Sequence, residues 1–311
     1  MRALICGSYA YDHIMVFHDQ FKNHILPDKI HILNVSFLVP DMRREYGGCA
    51  GNIAYNLNLL QSDSAVPMAT VGKDFEPYAQ WMDKTGVSRE CIKVINEAYT
   101  GQAFITTDND ANQITAFHPG AMGFSHQNKV SEADRIAIGI ISPDGKEGML
   151  EHAQQFSQAG IPFIFDPGQG MPMFSGDELR TLLGQCTWMT VNDYEMQMFL
   201  DKTGMNPGEV SAEVEALIVT LGGKGAEIIT ADKTYMIPAA EVSEIRDPTG
   251  CGDAFRGGLL YGLLNDMDWE VTGRMASLMG AIKIEHHGTQ NHHFTMTEFK
   301  ERFNKSFGIQ L

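Results

Sequence analysis

The chain has 311 residues, 43% hydrophobic and 20% charged, the balance of a folded globular protein. That excludes a disordered, collagen-like or disulfide-stapled chain. Its 39 acidic against 23 basic side chains leave a formal charge of −16, which argues against nucleic-acid and anionic-membrane partners.

A phosphorylated ligand must then be met by local backbone dipoles or a metal, not by a basic patch. No apolar run is long enough to span a bilayer, and the apolar start is too short for a secretory signal. Cys6, Cys49, Cys91, Cys186 and Cys251 are scattered and form no CxxC pair. Reduced thiols and a cytoplasmic location are expected.

Short apolar runs recur along the chain, each ending at a turn signal: Ala3–Cys6 before Gly7, Val66–Val71 before Gly72, Ile136–Ile141 before Ser142-Pro143-Asp144-Gly145, Pro162–Phe165 before Asp166-Pro167-Gly168, Trp188–Val191 before Asn192, and Leu217–Leu221 before Gly222. Helical stretches lie between them at Gly51–Leu60, Glu147–Gln158 and Asp193–Asp201, and three more follow at Asp253–Leu264, Trp269–His286 and Thr297–Phe303. Continuous apolar strands separated by helices predict an α/β domain with a mostly parallel sheet covered on both faces. Two segments break the rhythm. Residues 11–45 show no clear helix, and residues 100–118 read as a hairpin, Gln102–Thr107 and Gln113–His118 around the turn 108–112. Together they suggest a small antiparallel sheet inserted in the larger domain, with one solvated face. It is read as a lid over a ligand or, alternatively, as an edge extension or a dimer contact through exposed strand edges.

Three glycine-rich clusters carry the chemistry. Asp247-Pro-Thr-Gly-Cys-Gly-Asp253 opens an apolar helix, so its amides and the helix dipole suit an anion, and Asp253 serves as base or cap. The plainer reading is a capped helix after a glycine turn. Thr220-Leu-Gly-Gly-Lys-Gly225 follows a strand, and Asp166, Asn192 and Thr220 all fall at strand ends, where ligands of parallel sheets collect. GxxxxGK[ST] and GxGxxG are both absent, which removes most support for a P-loop NTPase or a dinucleotide-binding dehydrogenase. Gly47-Gly48-Cys-Ala-Gly51-Asn52 offers a close backbone approach and an amide to a small polar substrate, or merely an Asn-capped turn. His286, His287, His292 and His293 read as a surface patch or a loop flanking a base pocket rather than a metal site. Cys251, at the helix start, is read as a space-filler or a thiol of lowered pKa.

Gly47-Gly-x-x-x-Asn52, Asn192-x-x-Glu195 and Asp247-Pro-Thr-Gly-x-Gly-Asp253 stand in an order that resembles the ribokinase/PfkB family of carbohydrate and nucleoside kinases. Phe117-His-Pro-Gly-Ala-Met122, Asp166-Pro-Gly-Gln-Gly170 and Asp253–Gly262 make it most similar to the bacterial purine nucleoside (adenosine) kinases. The resemblance runs from Met1 to about Phe303 and implies one ribokinase-like domain over 1–311. It implies that Asp253 is the catalytic base and that Gly250, Cys251 and Gly252 form the anion hole. Asp12, Gly48 and Asn52 would bind substrate, and Asn192, Thr220, Gly222 and Gly225 the nucleotide. Glu195 would organise Mg²⁺ through water, and Asp247 and Thr249 lie where some members bind a monovalent cation such as K⁺. Pro248 departs from the commoner Thr or Ser and removes an N–H donor.

The implied reaction is ATP-dependent phosphorylation of a nucleoside 5′-hydroxyl. The alternatives are a sugar kinase of the ribose or fructose type and a non-catalytic nucleoside-binding protein. Implied partners are small molecules, with a monomer or a homodimer through the lid. Phe104, Phe117 and His118 are candidates to stack on a base or to pack the lid against the body, Gln169 to hydrogen-bond a base, and Lys224 to sit near the nucleotide or in a solvated turn.

Overall fold

A computed structural model describes residues 1–25, 31–32, 34–110 and 112–311. Parts of the expected lid segment 11–45, and one residue of the expected turn 108–112, lie outside the described residues.

The apolar runs become parallel strands. β1 (Arg2–Cys6), β4 (Ala65–Gly72), β5 (Cys91–Ile95), β8 (Ile136–Ile141), β9 (Phe163–Phe165), β10 (Trp188–Asn192) and β11 (Ala216–Thr220) lie in the order β11-β10-β9-β8-β1-β4-β5. β12 (Ala226–Thr230) and β13 (Thr234–Ile237) extend the β11 edge antiparallel. β5, β12 and β13 were not expected; β13 is half exposed and lacks the continuous apolar run that marks a central strand.

The strands read as unbroken apolar runs because both faces are covered. Ala3 and Ile5 of β1 point into one core, Leu4 and Cys6 into another. Helices α1 (Cys49–Leu60), α2 (Glu76–Thr85) and α7 (Cys251–Leu264) cover the first face. Helices α3 (Lys146–Ala159), α4 (Gly176–Gln185), α5 (Asp193–Thr203) and α6 (Pro207–Ala212) cover the second. α8 (Trp269–Ile284) and α9 (Met296–Phe307) close a third cluster around Met275, Met279, Phe299 and Phe303. Among the described residues no helix is long and apolar enough to cross a membrane, and all five cysteines are free thiols.

α7 is buried almost all round, with its glycines at the closest contacts. A Cβ on Gly258 would lie 2.6 Å from the Ala276 Cα, and one on Gly262 2.4 Å from Thr272 Oγ1. The bare backbone lets α7 lie against α8 while its N-terminus reaches the carboxyl rim of the sheet.

The second sheet is β3-β2-β6-β7, built from β2 (Ala10–Val16), β3 (Asp41–Gly47), β6 (Gly101–Thr107) and β7 (Gln113–His118). Its outer pairs are antiparallel, as expected of a small inserted sheet, while the central pair β2–β6 is parallel. β7 is exposed along its whole length, so at this edge both faces are solvated rather than one.

Candidate active site

The chain enters α7 through Gly250 at φ 77°, a left-handed turn. A Cβ there would sit 2.9 Å from Thr289 Cγ2. The Cys251 N–H is spent on the Pro248 carbonyl at 3.2 Å, so this member of the expected anion hole faces into its own turn. The amides of Gly250, Gly252 and Asp253 have no acceptor among the described residues. They leave the positive end of a fourteen-residue helix open to an anion. α1 differs: the N–H groups of Cys49 and Ala50 are both held at 3.0 Å by Ser8, through its hydroxyl and its carbonyl.

Asp253 stands in the first turn of α7. Asn52, from the first turn of α1, donates its amide to Asp253 Oδ2 at 2.7 Å. Burial pushes the Asp253 carboxyl up to about 7; the Asn52 hydrogen bond and the Arg256 charge pull it back, while Asp166 and Asp12 add to the rise. A helix N-terminus favours an ionised carboxylate, but here loss of water outweighs that pull. Cys251 likewise is no activated thiol, because burial raises it to about 11. It fills space.

Beneath the turn lies an ion pair that the motif reading passed over. Arg256 Nε and Nη2 each contact one oxygen of Asp166 at 2.9 Å, with both side chains buried. Arg256 Nη1 reaches back to the Gly252 carbonyl at 3.3 Å. Burial opposes the guanidinium charge, but Asp166, Glu195 and Asp253 together raise its pKa. One cation thus underlies three carboxylates at the end of the sheet. The signal for it was an arginine one turn along the Asp253 helix and an aspartate at a strand end.

Asn192 and Glu195 form a reciprocal cap on α5: Glu195 N–H to Asn192 Oδ1 at 2.7 Å, and Asn192 N–H to Glu195 Oε2 at 2.8 Å. Glu195 keeps its second oxygen outside that box, and burial and Asp166 raise its pKa. Thr220 lies beside Asn192 in the β10–β11 register. Gly222 opens the turn Gly222–Lys224, and Gly225 follows at φ 96°. The expected nucleotide residues therefore share one rim. Lys224 is an exposed turn residue, and Gln169 is also exposed.

The second sheet supplies Asp12, on β2. Burial raises its carboxyl to about 6, with Asp247 and Glu45 adding to the shift. Gly48, at φ 87°, lets β3 turn into α1 against residues 8–10; a Cβ there would lie 2.6 Å from three backbone atoms. Asp12 shares one transverse row with Glu45, Ala103 and Phe117, while His13 shares the next with Arg44, Phe104 and Ala116. Neighbours in a row point to the same face. Phe117 is thus on the Asp12 face. Phe104 is on the other, stacked on His13 at 4.8 Å, and His118, one residue beyond Phe117, shares that other face.

The loop after α8 joins these parts. Gln290 donates to Asn52 Oδ1 at 3.0 Å and accepts from Trp81 Nε1 at 2.9 Å. Thr289 Oγ1 donates to the Tyr46 carbonyl, and Asn291 to Glu45 Oε2 at 2.8 Å. Nothing in the sequence marked Gln290. His292 is fully buried, with Nε2 2.7 Å from Asn56 Oδ1 and its pKa lowered by burial to about 3. The histidines are therefore not simply a surface patch, and among the described residues no three His, Cys, Asp or Glu side chains gather around a metal position.

Asp247 and Thr249 do not form a vacant oxygen cage. The Asp247 carboxylate accepts the N–H groups of Thr249 and Gly288, both at 2.9 Å, and the Lys283 ammonium donates to the Asp247 carbonyl at 2.6 Å.

A mostly parallel sheet with a second small sheet, and a carboxylate-bearing helix start offering free amides at its rim, is the construction of a ribokinase-like phosphotransferase. The chain belongs to the pfkB family of carbohydrate kinases, whose model matches residues 10–295. It is an ATP-dependent nucleoside or carbohydrate kinase. A nucleoside kinase of Burkholderia thailandensis, solved in complex with inosine, is 53% identical, superposes with a TM-score of 0.90 and is covered over 99% of both chains. The same protein was also solved with ADP-inosine. A nucleoside kinase of Methanocaldococcus jannaschii is 30% identical over 275 residues, 88% of this chain and 90% of that one.

Proposed function

We propose that this chain phosphorylates the 5′-hydroxyl of a purine nucleoside at the expense of ATP, releasing the nucleoside 5′-monophosphate and ADP. One observation carries the reading: the Asp253 carboxylate stands at the amide-bearing start of α7, with Asp12 of the lid near enough to raise its pKa. The neighbouring nucleoside kinases supply the substrate class.

Asp12 and Asn52 hold the ribose hydroxyls, and Gly48 lets the backbone approach. The acceptor hydroxyl faces Asp253, which takes its proton as the new P–O bond forms. Phosphoryl transfer with a loose transition state needs positioning and charge stabilisation more than a strong base. The free amides of Gly250 and Gly252 meet the charge on the transferring group, each such donor being worth about 2.7–4 kcal/mol in comparable sites. Arg256 fixes the Gly252 carbonyl from below. Asn192, Thr220, Gly222 and Gly225 form the nucleotide rim.

Mg²⁺ fits this site as an ion arriving with the triphosphate: the free Glu195 oxygen is a hard donor suited to one of its waters, and the chain offers no all-protein cage among the described residues. When bound, it neutralises phosphate charge. Phe117, on the Asp12 face, covers the base.

The test is a coupled assay of ADP release against purine nucleosides, pyrimidine nucleosides, ribose and fructose, with Asp253→Asn beside the wild type. Purine nucleosides should give the highest kcat/KM. The variant should bind nucleoside while losing at least about a hundredfold in turnover, the range of a general base. Equal turnover would remove Asp253 from the mechanism, and preference for free sugars would overturn the substrate assignment.

A further inference from the structure

Lys283 is fully buried in the last turn of α8. Its ammonium donates to the Asp247 carbonyl at 2.6 Å and the His286 carbonyl at 3.2 Å, and lies 3.9 Å from Asp247 Oδ1. A buried ammonium is costly unless paired and hydrogen-bonded. Here two carbonyl oxygens and one carboxylate surround it, all from the two loops that frame the reacting groups.

The first loop runs from Asp247 to the anion hole. The second, 286–291, starts at the carbonyl that Lys283 holds. Asp247 sews them together by accepting the N–H groups of Thr249 on one side and Gly288 on the other. From Gly288 the second loop continues to Thr289, packed against the Gly250 turn, and to Gln290, which holds Asn52 and through it Asp253. A positive charge at Lys283 Nζ therefore holds together the anion hole, the partner of the base and, through Asn291 and Glu45, the lid.

We propose that the Lys283 ammonium is a built-in cation: it takes the place of a dissociable monovalent ion beside Asp247 and fixes the anion-hole loop, so that this kinase needs no K⁺. This rests on the phosphotransfer reading above. Lys283 acts through Asp247 and is a positioning residue. The expectation that Asp247 and Thr249 hold a monovalent ion meets a cation already in place: the Lys283 ammonium stands 2.6 Å from the Asp247 carbonyl and 3.9 Å from Asp247 Oδ1, so a second positive ion on these oxygens would face like-charge repulsion.

The experiment compares wild type with Lys283→Met, whose side chain keeps much of the length without the charge. Melting temperature and steady-state kinetics are measured in the chlorides of K⁺, Na⁺ and tetramethylammonium at equal ionic strength. The wild type should melt and turn over alike in all three. Lys283→Met should melt lower and lose about tenfold in kcat, the order of one charge-assisted hydrogen bond. K⁺ should restore part of both losses and tetramethylammonium neither.

A wild type that melts higher or turns over faster specifically in K⁺ overturns the proposal, and this arm decides even if the variant does not fold. A folded variant with wild-type kcat also overturns it. Cation-selective melting is read without turnover, so failure here is distinct from failure of the phosphotransfer reading, which the Asp253→Asn assay addresses.

Discussion

Replacing Asn52 with Leu removes the 2.7 Å hydrogen bond to Asp253 Oδ2 while leaving a side chain of similar size. Asp253 sits at about 7 with that bond in place, and the bond is a downward influence on it. A hydrogen bond to a charged group is worth about 1.5–3 kcal/mol, and one pKa unit is about 1.36 kcal/mol. The full loss corresponds to about one to two units, and water reaching the partly exposed carboxylate makes the lower figure the expected one. A general base works only when ionised, so if Asp253 acts as proposed kcat/KM falls on the acid side of its pKa. The acid limb should move from near pH 7 to about pH 8, because an Asp253 deprived of its donor holds its proton more tightly. At pH 7 this alone lowers kcat/KM about fivefold, and at about pH 9 the ionisation deficit nearly vanishes. The assay is the pH profile of kcat/KM under limiting nucleoside. Were Asn52 only a sugar contact, the plateau would drop and the limb would stay in place. A fixed limb, or one moved to lower pH, would refute the coupling of Asn52 to the base.

Three further outcomes follow from other parts of the site. Asp253→Asn should raise the melting temperature at pH 8 and not at pH 3.5: the folded state holds this carboxyl near 7 against an ordinary 3.8, so its ionisation costs stability progressively between those values and fully above them. A variant no more stable than wild type at pH 8 counts against a raised carboxyl at this position. Arg256→Met leaves the buried Asp166 carboxylate unpaired and should destabilise by about 3–5 kcal/mol, whereas adding Asp166→Leu should recover most of the stability but not the turnover. Denaturant melts of single and double variants decide this, and equal midpoints would show that the pair carries no such penalty. Phe117→Ala should raise KM for purine nucleosides about tenfold, the order of one stacked base, while Phe104→Ala changes it little; equal effects would remove the face assignment.

The strand runs and the three glycine motifs were legible because their signals are local. A strand covered on both faces must be apolar throughout, and a helix entered through Gly250 at positive φ must show glycine in the sequence. The family resemblance was legible for the same reason, since it lies in short motifs. β12 and β13 were missed because a half-exposed edge hairpin has no such signature.

What the amino-acid order determined by itself was the set of groups available: carboxylates at 12, 195 and 253 and amides around 250. Folding decided which groups touch. Asn52 and Asp253 are 201 residues apart and share a hydrogen bond; Asp166 and Arg256 are 90 apart and share two. Lys283, unremarkable as a letter, ends beneath the loop that leads from Asp247 into α7 because α8 packs along α7. Local propensity acts over a few residues, but the pKa of a buried acid and the partner of a buried cation depend on charges and water within a few ångströms, which only packing between distant segments sets.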